Sequence, residues 1–507
     1  MLSKDCPTAW EISSNLEEKA DRPVEECGVF GIFQHEKAPE LTYFALIALQ
    51  HRGQEAAGMA VMSVDGMHSH KGLGLVSDVF ANGKLLELSG VNAIGHVRYS
   101  TAGENTIQNA QPITVATHRH HLAIAHNGNL VNARQLRIGL ELEGSLFQST
   151  SDTEVIAHLI ARSGEEEMVS AVESALQDIS GGFALVMLTD DQLIAARDPF
   201  GLRPLVLGEL DGSYCLASET CALETIGARY LRDIEPGELI TIQSDGIISR
   251  RFAEPRQRRM CTFEYIYFAR PDSDIDGYNV HAVRKKLGKI LAERHPADGD
   301  IVIGVPDSSI SAASGFAEAS KIPFEMGLIK NKYIARTFIQ PSQELRDMGV
   351  RMKLNAVRGI VDGKRVVLID DSIVRGTTIR RIVQLLRNAG ATEVHLRISS
   401  PPYKNPCHYG IDTATRRQLI AATHSVEEIC REVGADSLEY MTVEELMEAF
   451  QFTGPQEHAP FCNACFTGRY PTDLPDQEKD KAGTGETGSF VATTTRPSYI
   501  EKGGRGA

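Results

Sequence analysis

The sequence lacks the features of a membrane or disulfide-rich protein. No stretch approaches the ~20 consecutive apolar residues needed to cross a bilayer. The first 26 residues are acidic and have no apolar centre, which is not typical of a secretory signal. Nine cysteines in 507 residues are far too few for a disulfide scaffold. We therefore expect no membrane partner, and a reducing, cytoplasmic compartment.

Positive charge is also in short supply. The chain has 52 basic and 67 acidic residues, a formal net charge of −15, which argues against a broad nucleic-acid surface. We therefore expect no nucleic-acid partner. At 507 residues the chain is longer than the ~250–300 residues at which single cores usually stop growing, so more than one domain is expected.

The pattern of apolar residues changes along the chain. In the first half, short alternating strands are interrupted by helical patterns at 39–50, 132–142, 153–162 and 167–178, which indicates stacked sheets with helices outside. The second half alternates strand and helix, which is typical of a parallel sheet. The predicted divisions are a polar leader at 1–26, domains at 27–255 and 256–470, and a disordered tail at 471–507.

A strand–turn–helix unit at 366–378, VVLIDDSIVRGTT, places two acidic residues directly after an apolar run. Ligands of open α/β sheets bind at the carboxyl ends of strands, which is where Asp370 and Asp371 lie. A hydroxyl-rich turn follows, and backbone N–H groups at the start of the next helix can hold a phosphate. The residues alone predict a ribose-phosphate site, with a general nucleotide-binding turn as the alternative.

Cys27 begins a predicted strand in the first half. An isolated cysteine is more often a small core residue, but the apolar strands around it carry paired polar groups, whose burial without partners is costly. The segments concerned are HRGQEAAG (51–58), GHVRYST (95–101), AHNGNLVN (125–132) and SDTE (151–154). Structural interpretations remain open: Arg98 and Asp152 could form a plain ion pair, and Asn127–Gly128 a hairpin turn.

Together with ARDPFGLRPL (196–205) and ASET (217–220), these segments resemble the glutamine amidotransferase domain of the N-terminal-nucleophile hydrolases. The resemblance implies an αββα sandwich and a propeptide, 1–26, whose removal makes Cys27 terminal. A terminal amine with a pKa of about 8 can then take the thiol proton. The resemblance also implies that Arg98 binds the α-carboxylate of glutamine and Asp152 its α-ammonium. Asn127 and Gly128 would form the oxyanion hole.

In the second half, VVLIDDSIVRGTT resembles the phosphoribosyl pyrophosphate (PRPP) motif of type I phosphoribosyltransferases, which are parallel-sheet α/β domains. The resemblance implies that Asp370 and Asp371 hold the ribose hydroxyls. It also implies one Mg²⁺ per subunit near Asp370, Asp371 and Ser308, the last within VIGVPDSS (302–309). The loop residues expected to hold the 5-phosphate are Ser372, Arg375, Gly376, Thr377 and Thr378.

Residues 330–355, between these two segments, are rich in lysine and arginine and have little apolar periodicity. One interpretation is a solvated surface loop. The other is a lid that closes over pyrophosphate and keeps water from C1 of the sugar, with Lys332 and Arg336 among the substrate-binding residues.

The two halves together resemble the amidophosphoribosyltransferase family. This implies an enzyme that converts PRPP, glutamine and water into 5-phosphoribosylamine, glutamate and pyrophosphate, the first step of purine nucleotide synthesis. Feedback inhibition by purine nucleotides and a homotetramer are implied as well. The alternatives are a PRPP-sensing regulator, which would not need the Cys27 constellation, and a base phosphoribosyltransferase, which would lack the first half.

Four other cysteines form a third constellation. Cys462 and Cys465 make a C-x-x-C step, and Cys261 and Cys407 lie far from it in sequence. The residues alone leave zinc, redox and structural roles open and slightly favour zinc. The family branch that carries a propeptide also carries a [4Fe–4S] cluster on cysteines in these four settings, so the resemblance implies one such cluster per subunit.

Overall fold

The computed structural model describes residues 27–99, 106–116, 120–254, 256–331, 354–411, 415–455 and 458–476. The predicted leader, nearly all of the predicted tail, and Lys332 and Arg336 of the predicted lid lie outside the described residues. Across the part of the chain that is described, no helix combines the length and the apolarity that a bilayer span needs.

The first half consists of two packed antiparallel sheets. The seven-stranded sheet has the order β11-β9-β10-β1-β4-β2-β3, and the six-stranded sheet has the order β13-β12-β8-β7-β6-β5. The strands are β1 (Gly28–Phe33), β2 (Ala56–Ser63), β3 (Gly66–Leu73), β4 (Asn92–Arg98), β5 (Ile113–Ala116), β6 (His121–Leu130), β7 (Gly181–Thr189), β8 (Leu193–Arg197), β9 (Val206–Leu210), β10 (Ser213–Ala217), β11 (Arg229–Asp233), β12 (Glu238–Gln243) and β13 (Gly246–Arg251).

Helices cover the outer face of each sheet. They are α1 (Ala38–Ala48), α2 (Val76–Val79), α3 (Ala133–Leu142), α4 (Asp152–Arg162), α5 (Met168–Asp178) and α6 (Thr220–Ile226), with 3₁₀ turns at Lys84–Glu87 and Ile107–Asn109. One core lies between the sheets and includes Val29, Ile94 and Val186. Two further cores pack α1 and α6 against the first sheet, and α4 and α5 against the second. These layers confirm the predicted αββα sandwich.

The second half is built on a four-stranded parallel sheet with the order β17-β20-β21-β22. Neighbouring residues of its strands face opposite cores: Val367 and Ile369 join one, and Val366 and Leu368 the other. Burial on both faces explains why these strands read as unbroken apolar runs. The four strands are β17 (Ile301–Gly304), β20 (Arg365–Asp370), β21 (Glu393–Ile398) and β22 (Ser437–Tyr440).

Helices lie on the two faces of this sheet, as predicted for a type I phosphoribosyltransferase domain. They are α7 (Val280–Arg294), α8 (Ile310–Ser320), α9 (Arg358–Val361), α10 (Thr377–Asn388), α11 (Ile420–Thr423), α12 (Val426–Val433), α13 (Val443–Ala449) and α14 (Ala464–Thr467), with a π-helical turn at Glu264–Phe268 and a 3₁₀ turn at Arg416–Gln418. Helix α8 follows β17 and helix α10 follows β20, as the predicted alternation of strand and helix requires.

Three two-stranded pairs complete the described part of the fold. The parallel pair of β14 (Met260–Cys261) with β23 (Phe461–Cys462) ties the start of the second half to the end of the described chain. The antiparallel pairs are β15 (Asp274–Ile275) with β16 (Tyr278–Asn279), and β18 (Leu328–Lys330) with β19 (Leu354–Ala356).

Candidate active sites

Cys27 lies at the end of the ladder between β1 and β4. Gly28 is opposite Val97 in this antiparallel pair, so the next residues along, Cys27 and Arg98, are brought together. Both are buried, and the Cys27 Sγ is 3.5 Å from the backbone oxygen of Tyr99. The thiol is therefore buried at the carboxyl end of β4.

Asn127 and Gly128 lie in β6 of the other sheet. The strand continues through them to Leu130, so the interpretation of a hairpin turn is wrong. Asn127 is fully buried, and neither polar atom of its side-chain amide has a hydrogen-bond partner among the described residues. An unsatisfied buried amide costs about 1–3 kcal/mol, which fits a group that bonds a bound ligand. Gly128 has no room for a side chain, because a Cβ there would lie 2.0 Å from the Gly182 backbone oxygen.

Asp152 begins α4, which Ser151 caps through the Thr153 N–H. Its Oδ2 accepts a hydrogen bond of 3.0 Å from the Leu130 N–H, and its Oδ1 is 3.6 Å from His126 Nδ1. Burial alone would raise the pKa of Asp152, but His126 and the backbone N–H groups hold that pKa below its usual value. These contacts attach the Asp152 carboxylate to β6.

The acidic pair of the second half lies where the sheet topology predicts. Asp370 ends β20, and the adjacent parallel strand β17 leads into the loop that carries Ser308 and Ser309. The Ser308 Oγ donates to Asp371 Oδ2 at 2.5 Å, and the Ser309 Oγ to Asp370 Oδ1 at 3.1 Å. Both carboxylates are buried. The structure thus joins the three residues expected near Mg²⁺, Ser308, Asp370 and Asp371.

The predicted phosphate loop connects β20 to α10. Ser372 is buried and donates to Asp371 Oδ1 at 2.7 Å, which links the loop to the acidic pair. Gly376 caps α10 with a left-handed φ of 84° and offers no side chain to the first-turn N–H groups. Thr377 is exposed and Thr378 and Arg375 are half-buried. A helix start of this kind can take an anion.

The four predicted cluster cysteines come together at the β14–β23 pair. Cys261 is opposite Cys462 in that pair, and Cys465 lies near enough to Cys261, Cys462 and Cys407 that they add to the effect of burial in raising its pKa. None of the four forms a disulfide. Burial raises the pKa of Cys462 to about 12 and that of Cys465 well above its usual value.

No group of three or more histidine, cysteine or acidic side chains among the described residues converges as ligands of one metal ion do. That finding is compatible with a [4Fe–4S] cluster, because the four cysteines that hold such a cluster bind different iron atoms and need not meet at one point.

Sequence reasoning gave no role to a buried charge cluster beside Cys27. Arg52 Nε donates to the Cys27 backbone oxygen at 3.0 Å, Nη1 to Glu219 Oε1 at 2.6 Å, and Nη2 to Glu264 Oε1 at 2.7 Å. All three charged side chains are fully buried. The available signal was the charge of Arg52 in HRGQEAAG (51–58) and of Glu219 in ASET (217–220).

Comparison with known proteins assigns a family to each half. Residues 96–225 match a glutamine amidotransferase domain family, and residues 278–408 a phosphoribosyl transferase domain family. The chain is 55% identical over 451 residues to the amidophosphoribosyltransferase of Bacillus subtilis strain 168, covering 89% of this chain and 95% of that protein. It is 51% identical over 456 residues to that of Staphylococcus aureus strain MRSA252, covering 90% and 92%.

Two solved structures are similar over nearly the same range. One is described as the allosteric regulatory enzyme of purine biosynthesis, with a TM-score of 0.85 and 55% identity, covering 90% of this chain and 97% of that one. The other is glutamine phosphoribosylpyrophosphate amidotransferase from B. subtilis complexed with ADP and GMP, with a TM-score of 0.85 and 54% identity, covering 90% and 98%.

Proposed function

The chain belongs to the amidophosphoribosyltransferase family, the enzymes of the glutamine-dependent first step of purine biosynthesis, and we propose that Cys27 and the Asp370–Asp371 pair mark its two reaction sites. The observation that carries this proposal is the placement of polar side chains. Cys27 and Arg98 meet at the end of the β1–β4 ladder, and Ser308 and Asp371 meet where β17 and β20 end. The first pair suits glutamine cleavage and the second suits transfer to the sugar.

In the proposed glutaminase reaction, the Cys27 thiolate attacks the amide carbonyl carbon of glutamine. Asn127 and the Gly128 N–H donate to the oxyanion that develops, while Arg98 and the ionised Asp152 hold the α-carboxylate and α-ammonium. The carbon–nitrogen bond breaks, ammonia leaves, and water hydrolyses the resulting thioester to glutamate. The terminal amine that takes the thiol proton requires that residues 1–26 have been removed, which is part of the proposal.

In the proposed transfer reaction, that ammonia attacks C1 of PRPP, and the bond from C1 to the pyrophosphate oxygen breaks. Asp370 and Asp371 hold the ribose hydroxyls. The loop Ser372, Arg375, Gly376, Thr377 and Thr378 holds the 5-phosphate, and Lys332 and Arg336 bind substrate from the lid. Passage of ammonia inside the protein is favoured, because free ammonia would take up a proton and diffuse away.

We propose two metal cofactors on the residues that the fold brings together. One Mg²⁺ per subunit fits Ser308, Asp370 and Asp371, whose oxygen atoms are the ligands that this cation prefers; when bound, it would neutralise charge on the pyrophosphate. One [4Fe–4S] cluster per subunit fits Cys261, Cys407, Cys462 and Cys465, none of which forms a disulfide.

Finer aspects of the proposal rest on resemblance. The domains are assigned to 27–255 and 256–470. At the start of the predicted tail, Thr472 bonds Tyr409, and Asp476 accepts from the N–H groups of Arg134 and Gln135. Purine nucleotides are proposed to inhibit, in keeping with the relative solved with ADP and GMP. The enzyme is proposed to be a cytoplasmic homotetramer, and light scattering on the purified protein would show a different subunit number if that part is wrong.

The test of the two-site proposal compares two nitrogen sources. Pyrophosphate release from PRPP is measured with glutamine and, separately, with an ammonium salt. We expect Cys27→Ala to lose the glutamine-dependent reaction and keep the ammonium-dependent one, because only the first needs the thiol. Asp371→Asn should lose both, since it acts on the sugar.

The matched control is Cys215→Ala, which removes another buried thiol of the same half, in the outer core of the seven-stranded sheet. It should keep both reactions. Equal loss of both reactions in Cys27→Ala would contradict the division between the two sites.

A further inference from the structure

The structure assigns a positioning residue of the glutaminase reaction to the transferase half: we propose that Glu264 holds Arg52, and through it the backbone of Cys27, in the geometry that glutamine cleavage requires. This inference rests on the proposed role of Cys27 as the nucleophile. Glu264 is proposed to act through Arg52, and not on the thiol or the substrate directly.

The contact between Glu264 and Arg52 is bidentate. Arg52 Nη1 donates to Glu264 Oε2 at 2.9 Å and Nη2 donates to Oε1 at 2.7 Å, while Nε donates to the Cys27 backbone oxygen at 3.0 Å. A planar guanidinium bound in this fork geometry has little freedom to rotate. Glu264, together with Glu219 on Nη1, therefore fixes the orientation of the third donor, Nε, and with it the position of the Cys27 carbonyl.

The first half supplies two arginines and one carboxylate to this cluster, and the second half supplies the other carboxylate, Glu264. The charges are therefore balanced only when the two halves are assembled. Arg52 also bonds Glu219, and Arg203 Nη1 is 3.7 Å from Glu264 Oε1, so two buried arginines face two buried carboxylates. Burial alone would raise the pKa of Glu219, but His51 and Arg52 hold it well below its usual range. Removing one carboxylate would leave a buried positive charge in excess, which disturbs its neighbours.

The transferase core in turn fixes Glu264. The residue begins the π-helical turn Glu264–Phe268. Arg284 of α7, itself buried, donates to the backbone oxygens of Tyr265 at 2.6 Å and Ala269 at 2.8 Å. The apolar side chains of the turn belong to the core of the second half. The carboxylate is thus presented to the first half on a rigid support.

The experiment uses the full chain and the substitution Glu264→Gln, which keeps the shape and removes the charge. We expect the glutamine-dependent kcat to fall about 10²-fold, the loss typical of a reacting group displaced by about 1 Å. The KM for glutamine should change less than about 3-fold, because no substrate contact is lost. The ammonium-dependent reaction should be retained, and alkylation of Cys27 by iodoacetamide should slow.

Ser273→Ala is the matched control. The Ser273 Oγ donates to Glu219 Oε2 at 2.6 Å, so this variant also loses a buried bond between the halves, but not one to Arg52. It should keep the parental ratio of glutamine-dependent to ammonium-dependent activity. Glu264→Asp keeps the charge on a shorter stem and should give a ratio between those of the parent and Glu264→Gln.

Equal loss of the two activities in Glu264→Gln, or an unchanged glutamine-dependent kcat, would overturn the inference. If Glu264→Gln does not fold, the same comparison on Glu264→Asp decides. The Cys27→Ala variant separates this inference from the proposed function. If Cys27→Ala keeps glutamine-dependent activity, Cys27 is not the nucleophile and the proposed function is contradicted. If Cys27→Ala loses that activity and Glu264→Gln keeps it, only the role of Glu264 is contradicted.

Discussion

Burial controls the charge state of single residues in this protein. The pKa of His96 is lowered to about 3 by burial, so this histidine beside the Cys27 strand stays neutral near pH 7 and cannot serve there as a cation. Asp152 is also buried, yet its pKa is depressed. Ionised Asp152 therefore stabilises the fold above its unfolded pKa of about 3.9, and that contribution is lost as pH falls through the lower folded value.

The cluster cysteines allow a prediction at the same scale. Because burial raises the pKa of Cys462 and Cys465, these thiols are protonated unless a metal supplies positive charge. We expect the purified protein to contain about four iron and four acid-labile sulfide per subunit, measured by elemental analysis. Cys465→Ser should lose both, and its folded state should be less stable, since ligand binding and folding are coupled.

Cys430→Ser is the control for that substitution. Cys430 is half-buried in α12, outside the four-thiol group, so its variant should keep the parental metal content. Stoichiometric zinc without sulfide in the parent protein would contradict the iron–sulfur assignment.

Among the elements, those with strong local patterns could be predicted from sequence. The strand β20 and the helix α10 were predictable because an apolar run and a helical repeat meet at an acidic turn. The Asn127–Gly128 pair was ambiguous, since a local turn signal does not show whether a neighbouring strand continues the ladder. In β6 the pairing with β7 does continue it. Helix α7 was not assigned, although its buried residues recur at helical spacing.

The connection between β20 and α10 gives a prediction at the element scale. A Cβ at Gly376 would lie 2.8 Å from Ile420 Cδ1, on a backbone with φ 84°. We expect Gly376→Ala to displace the phosphate loop and raise the KM for PRPP about 10-fold or more, since strain of 1–3 kcal/mol is typical of such positions. The KM is measured with an ammonium salt as the nitrogen source.

Gly434→Ala is the control that separates backbone strain from displacement of the phosphate loop. Gly434 has a similar φ of 78° at the end of α12, but an added Cβ meets no atom within 4 Å. Thermal unfolding should show a loss of stability in both variants. If the two variants have the same KM for PRPP, the loop does not bind the phosphate.

For the whole molecule, the sequence predicted two domains and two chemistries but not how the halves meet. The Arg52–Glu264 contact joins residues 212 positions apart, and no local pattern reports a partner at that distance. The cysteines of β14 and β23 also meet only because the end of the chain returns to the start of the second half. Such contacts depend on tertiary packing, so the sequence showed the charged residues and not their pairing.

The central claim is that the two sites act as one enzyme, with nitrogen released at Cys27 used at Asp370–Asp371. The most direct measurement supplies glutamine labelled with ¹⁵N at the amide together with unlabelled ammonium, and follows the label into 5-phosphoribosylamine by trapping and mass spectrometry. The account predicts that the product carries the glutamine label with little dilution by the ammonium in solution. A product labelled only to the extent of the mixed ammonia pool would contradict it.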